Sequence, residues 1–220
     1  MKLLKNFAVF SVLSMLSLPL FAQSRSVDII GFGTLVDPSG NSVFESNGGL
    51  DDLDVQFDSE QGFGAAVNIF WSRRFSTELA ASIVEPDLQL RSQDPAAPLF
   101  ATGSLEMIPI TGVLQFHLSP DGKVDPYIGA GVAYVLFDQV NDSGDLGDID
   151  VETIDFDDDA GLVLNAGLSI DITPRLAIYL DGKYVPVKSS ATATFATGPG
   201  TTTDIDINPL IISAGLGFQF

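Results

Sequence analysis

The chain has 220 residues, 29 acidic and 10 basic, for a net charge of −19, and it contains no cysteine although 45% of it is hydrophobic. Such an acidic balance argues against a nucleic-acid partner, and the missing thiols exclude a disulfide framework, a cysteine-linked lipid anchor, a thiol nucleophile and any Cys-ligated metal. After the first segment no apolar run approaches the length of a spanning helix, so the hydrophobicity is spread over many short segments.

In chain order, Met1-Lys-Leu-Leu-Lys5 is basic, Phe7 to Phe21 is apolar, and small residues follow at Ala22 and Ser24. This pattern predicts a secretory signal peptide over residues 1–22, cleaved after Ala22 or alternatively after Ser24. A membrane anchor fits less well, because Ser11, Ser14, Ser17 and Pro19 interrupt the short stretch. Residues 23–220 then form one domain, in which eight basic residues face 29 acidic ones, a balance of −21.

Eight strands are predicted: Ser26 to Leu35, Gln61 to Ser72, Thr77 to Gln89, Ser104 to Leu118, Asp125 to Phe137, Ala160 to Ile172, Leu176 to Lys188, and Asp204 to Phe220. Strand two sets Phe63, Ala65, Val67, Ile69 and Trp71 against Gly62, Gly64, Ala66, Asn68 and Ser72, with Phe70 out of pattern. Strand six sets Leu162, Leu164, Ala166, Leu168, Ile170 and Ile172 against Val163, Asn165, Gly167, Ser169 and Asp171. The last strand sets Leu210, Ile212, Ala214, Leu216, Phe218 and Phe220 against Ile211, Ser213, Gly215, Gly217 and Gln219.

Connections alternate in length. Tight turns are predicted at Ser72 to Ser76, Ser119-Pro-Asp-Gly-Lys123 and Thr173-Pro-Arg175. Long acidic stretches lie between them, with seven acids from Val36 to Gln61 and ten from Phe137 to Asp159. An even strand count, one greasy face per strand, and alternating short and long connections predict an all-β transmembrane barrel. It is an eight-stranded antiparallel up-and-down barrel with four external loops and both termini in the periplasm of a Gram-negative bacterium. A soluble ligand-binding barrel would require the reverse, with Leu, Ile and Phe crowded inside and Gly, Ser and Asn facing water.

The chain resembles the outer membrane protein W (OmpW) family. The resemblance is carried by Val36-Asp-Pro38, by Lys123-Val-Asp-Pro-Tyr-Ile-Gly-Ala-Gly-Val-Ala-Tyr134, by the Asp-rich third loop, and by Asp204-Ile-Asp-Ile-Asn-Pro209 leading into Gly215-Leu-Gly-Phe-Gln-Phe220. It departs from the family at Met107-Ile-Pro-Ile110, where a proline pair is usual. The resemblance implies a narrow barrel with an apolar lumen that passes small hydrophobic molecules across the outer membrane. It also implies that the terminal aromatic, Phe220, is read by the barrel insertion machinery. Outer-membrane lipid and lipopolysaccharide are the surroundings such a protein meets.

No catalytic constellation is legible, so the chain is read as a non-enzyme without cofactor. His117, the single histidine, points inward by parity, and Ser119 beside it lies in a turn with no acid placed by any sequence rule. Asp145-Leu-Gly-Asp-Ile-Asp150 lacks the spacing of a calcium-binding hand loop, which leaves a solvated acidic loop and no assigned metal. Depth along the strands gathers Glu78, Gln115, His117, Asp171 and Gln219, with Asp181 and Lys183 somewhat higher, into a polar floor. Above it the same parity gives the apolar candidates Met107, Val113, Val163 and Ile211 for contact with a solute. Pro86, Pro109, Pro186 and Pro209 fall in the outer halves of strands and weaken the ladder there, predicting lateral exit of the solute. The alternative function is a structural or interaction barrel whose acidic loops contact a partner or the outer leaflet.

Overall fold

A computed structural model describes residues 26–39, 42–43, 53–57, 59–92, 99–104, 106–137, 141–142, 151–195 and 201–220. The segment assigned to the signal peptide and the acidic run Asp145 to Asp150 lie outside them. The described strands are, in order, β1 (Val27–Ser39), β2 (Ser42–Val43), β3 (Leu53–Phe57), β4 (Glu60–Phe70), β5 (Phe75–Val84), β6 (Asp87–Ser92), β7 (Leu99–Ser104) and β8 (Met107–His117). They continue as β9 (Val124–Phe137), β10 (Asn141–Asp142), β11 (Val151–Phe156), β12 (Asp159–Thr173), β13 (Leu176–Tyr184), β14 (Val187–Phe195) and β15 (Thr201–Gln219).

Eight of these form a closed antiparallel wall in the order β1-β4-β5-β8-β9-β12-β13-β15, and β15 returns to pair with β1. Consecutive wall strands are neighbours throughout, which makes the barrel up-and-down. Closure leaves the wall no free edge. The last seam is tied where the described chain begins and ends, by Ser26 N donating to Phe220 O and Phe220 N donating to Val27 O, each at 2.9 Å. This is the terminal end of the barrel.

The pleat determines which residues face where, because successive side chains on a strand point to opposite faces. Along β8, Met107, Pro109, Thr111, Val113, Gln115 and His117 are all buried, while Ile110 and Leu114 are exposed. Phe63 and Leu162 are each 69% exposed and Val132 is 62% exposed, so the outside of the wall is greasy and the inside holds most of the polar side chains. This inverts a soluble barrel and suits lipid outside.

Three turns close the terminal end. At Ser119 to Gly122 the proline presets the first torsion, and Gly122 N donates back to Ser119 O at 2.9 Å, as the Pro-Asp-Gly pattern predicts. The opposite, far end differs from the sequence expectation in two ways. Strands three and seven do not run on to Gln89 and Lys188, because they break at Glu85-Pro86 and Val185-Pro186, where proline cannot donate to the ladder. Parts of the stretches expected as loops are also strands. The order β10-β7-β6-β3-β2 forms a second sheet, and β11 and β14 extend the upper half of β15.

Candidate functional site

Inside the barrel the side chains divide into a polar plug toward the terminal end and an apolar collar toward the far end. Gln115, on β8 and 1% exposed, is the hub of the plug. Its Oε1 accepts from Asn68 Nδ2 at 3.0 Å and from Ser76 Oγ at 3.3 Å. Its Nε2 donates to Asn165 Oδ1 at 3.0 Å and to Glu78 Oε2 at 3.3 Å. All four hydrogen-bonding positions of this amide are therefore occupied, which offsets the cost of burying it.

Two branches leave the hub. In one, Ser76 Oγ lies 2.9 Å from His117 Nε2, and His117 Nδ1 lies 2.8 Å from Asp125 Oδ2. Asp125 is fixed in turn by Ser119 N, which donates to its Oδ1 at 3.0 Å. The imidazole packs between Phe70 and Tyr127, with ring centroids 4.9 and 5.4 Å away, which accounts for the apolar Phe70 on the polar face of β4. Serine, histidine and aspartate in this order serve nucleophilic catalysis elsewhere. Here Ser76 and His117 are both 0% exposed, so the hydroxyl meets no solvent and the chain of bonds acts as a brace.

In the other branch, Asn165 Nδ2 and the Tyr127 hydroxyl donate to Asp181 Oδ2 at 2.7 and 2.8 Å. Lys183 bonds Asp181 on its own strand and reaches Glu78 Oε1 at 2.9 Å across the lumen. The buried ammonium is held from two sides by carboxylates, and without such partners its burial would be prohibitive. Tyr127 crosses the lumen over Gly167, where an added Cβ would come within 2.5 Å of the tyrosine ring, and Tyr179 crosses over Gly217 in the same way at 2.3 Å. The Tyr179 hydroxyl donates to Asp28 Oδ2 at 2.6 Å. Glycine at these two positions makes room for rings that would not otherwise fit in so narrow a barrel.

Of the floor residues expected from sequence, Glu78, Gln115, His117, Asp181 and Lys183 share this network. Asp171 and Gln219 form a separate pair, with Gln219 Nε2 donating to Asp171 Oδ1 at 3.1 Å. Asp28, Asn68, Ser76, Asp125, Tyr127, Asn165 and Tyr179 belong to the plug but were not among the expected site residues. Inward parity, already visible for Asn165 on strand six, would have found most of them.

The collar is lined by Val36, Val84, Met107, Pro109, Val135, Val185, Pro209 and Ile211 around a cavity of about 10 Å³, roughly enough for one water. Met107 and Ile211 thus adjoin one apolar chamber. Val163 is buried two residues beyond Asn165 toward the far end, at 1% exposure. Val113 differs from the expectation of a place above the floor. It is in register with Glu78 of β5, so it stands in the wall of the plug. A second cavity, of about 20 Å³, lies within the plug among Glu78, Tyr127, Asp181 and Lys183.

The wall is interrupted beside the collar. The β5–β8 ladder is continuous from Phe75↔Phe116 to Ala81↔Ile110 and resumes at Val84↔Met107. Between them Ser82 and Ile83 run past Ile108 and Pro109 unpaired. Pro109 cannot donate, which explains a break at this level.

A model of the OmpW family matches residues 26–220 of this chain. Outer membrane protein AlkL of Ectopseudomonas oleovorans is 29% identical over 49% of the chain, a match that spans only 44% of that protein's length. The dibenzothiophene metabolism operon protein PahQ of Pseudomonas aeruginosa is 25% identical over 72% of this chain and 69% of its own. Among solved structures, the outer membrane protein OprG from Pseudomonas aeruginosa superposes with a TM-score of 0.76 at 19% identity, covering 89% of this chain and 96% of that one, a likeness of fold.

Proposed function

This chain belongs to the OmpW family of outer-membrane β-barrels, and from that premise we propose that it passes small apolar molecules into the membrane through the collar and out sideways. In this reading the termini lie in the periplasm and the far end faces outward. A solute enters at the far end, displaces the collar side chains, and leaves between β5 and β8 where Pro109 interrupts the ladder. The plug below turns it aside. Met107 suits the role because an unbranched thioether side chain rearranges more readily than its branched neighbours.

The observation that carries this reading is the coincidence, at one level of the barrel, of an apolar chamber and a stretch of wall without ladder bonds. A relative named for a dibenzothiophene metabolism operon supports an apolar, aromatic cargo. The small cavities, about 10 and 20 Å³, favour the second reading, a packed barrel that works through its acidic outer segments.

A reversible lock separates the two. Ile83 and Ile108 face each other across the unpaired stretch, and the chain has no native cysteine. The double variant Ile83→Cys/Ile108→Cys places two thiols across this seam, and thiol titration after oxidation first establishes that the cross-strand disulfide has formed. Naphthalene uptake by whole cells carrying it should fall on oxidation and recover on reduction, while heat-modifiable migration stays unchanged. Uptake indifferent to the lock would sink lateral exit through this seam, and uptake no greater than in cells lacking the protein would leave the packed barrel as the reading.

A further inference from the structure

Charge is sorted by the ends of the barrel. Among the described side chains, the exposed basic ones are Arg73, Arg74, Lys123 and Arg175, and all four stand on the turns of the terminal end. One exposed acid, Asp121, accompanies them. The other exposed acids, Asp37, Glu85, Asp87, Asp157 and Asp158, all lie toward the far end. The rim at the terminal end is therefore net positive on a protein that is strongly acidic overall.

These arginines are set in a particular frame. Arg73 Nη1 lies 3.3 Å from Asp121 Oδ1 on the neighbouring turn, and both side chains are about three-quarters exposed. Arg74 Nη1 donates to Leu118 O at 3.3 Å, and its guanidinium carbon lies 6.0 Å from the centre of the Phe116 ring. That anchoring occupies one donor of a fork that has five. Next to the ring of charge runs a belt of exposed apolar groups, with Trp71 57% exposed, Phe75 47%, Phe218 44% and Phe220 60%. Aromatic side chains of this kind sit at headgroup level in a bilayer, and the arginines beside them are then at the depth of lipid phosphates.

We infer that the terminal rim binds the headgroups of anionic phospholipids, with Arg73, Arg74 and Arg175 as the contacts. Guanidinium donors match phosphate oxygens in pairs, and juxtamembrane basic groups gain from an anionic leaflet. The acidic far end repels the same headgroups, so a bilayer with anionic phospholipid in one leaflet favours one insertion direction. A soluble phosphate ester offers the same oxygens, but the adjoining aromatic belt favours a ligand that carries acyl chains. This inference does not depend on what the lumen transports.

The test counts lipids bound to the purified barrel by native mass spectrometry, in micelles doped with phosphatidylglycerol or with phosphatidylcholine of the same acyl chains. The wild type should prefer phosphatidylglycerol by about fivefold or more, in line with the attraction of each basic group near a charged surface. The Arg73→Gln/Arg74→Gln/Arg175→Gln variant should lose the preference while its heat-modifiable migration shows an intact barrel. Equal binding of the two lipids by the wild type, or an unchanged preference in the variant, overturns the inference. Glycerol 3-phosphate binding as well as the lipid overturns it too, assigning the rim to a soluble ester. If the triple variant fails to fold, the wild type at about 0.5 M salt provides the second reading, because screening should remove a preference made by exposed charges and a preference that persists would contradict it.

Discussion

The two halves of the lumen fill the same narrow tube by different means. In the plug, amides, carboxylates and one ammonium are joined so that each holds its neighbours in place, and removing a member strands its partners in a dry interior. In the collar, valines, prolines, Met107 and Ile211 touch without direction, and any of them can shift against the others. The plug therefore has one good arrangement and the collar has many. On the proposed function, a barrel braced below and loosely filled above stays closed to ions at the plug and yields to an apolar solute only in the collar.

The largest effect should come from Lys183→Met. Glu78 and Asp181 would then face each other buried without their shared cation, at a cost of about 3–5 kcal/mol. Urea unfolding in lipid vesicles measures it, and adding Glu78→Gln and Asp181→Asn should recover most of the loss. A single variant as stable as the wild type would mean that the plug is not the braced half.

Next comes Gln115→Met, which keeps the length of the side chain but leaves Asn68, Ser76, Asn165 and Glu78 each short of a partner. A loss of about 1–3 kcal/mol is expected, because buried polar groups without partners cost their desolvation. The same titration, accompanied by a rise in ion conductance across planar bilayers, checks it.

The smallest effect belongs to the collar. Ile211→Val removes one methylene from the chamber wall and should cost about 0.5–1.5 kcal/mol with no change in conductance. A collar variant that opened the pore to ions while the plug variant did not would reverse the assignment of the two halves.

The wall was largely legible in the sequence because every strand there must keep one face in lipid and the other in a tight lumen, and this imposes a period of two. Leu162 to Ile172 and Met107 to His117 show it with hardly an exception. The breaks at Pro86 and Pro186 were harder, since alternation continues through both prolines and only the ladder stops. The outer strands Asp87–Ser92 and Leu99–Ser104 were not separated from the wall, because predicted strand three runs on to Gln89 and predicted strand four begins only at Ser104. In the plug, depth counting found Glu78, Gln115 and His117 but not Asp125, which opens predicted strand five beside the turn and gives no sign from its own strand that it reaches the His117 imidazole. Which inward groups reach one another across the lumen depends on the stagger of the strands, and a single strand's sequence does not record that.

The seam between β1 and β15 has a bearing on how the molecule comes into being. Its partners, such as Ser26 and Phe220, stand 194 residues apart, whereas most other pairings of the wall join consecutive hairpins. Hairpins can zip as soon as their two strands exist, but the seam must wait for the most distant contact in the chain, the slowest kind to find. Until that moment the first and last strands present two bare, adhesive edges to every neighbouring molecule. Birth of this barrel is therefore a race between one intramolecular meeting and many intermolecular ones.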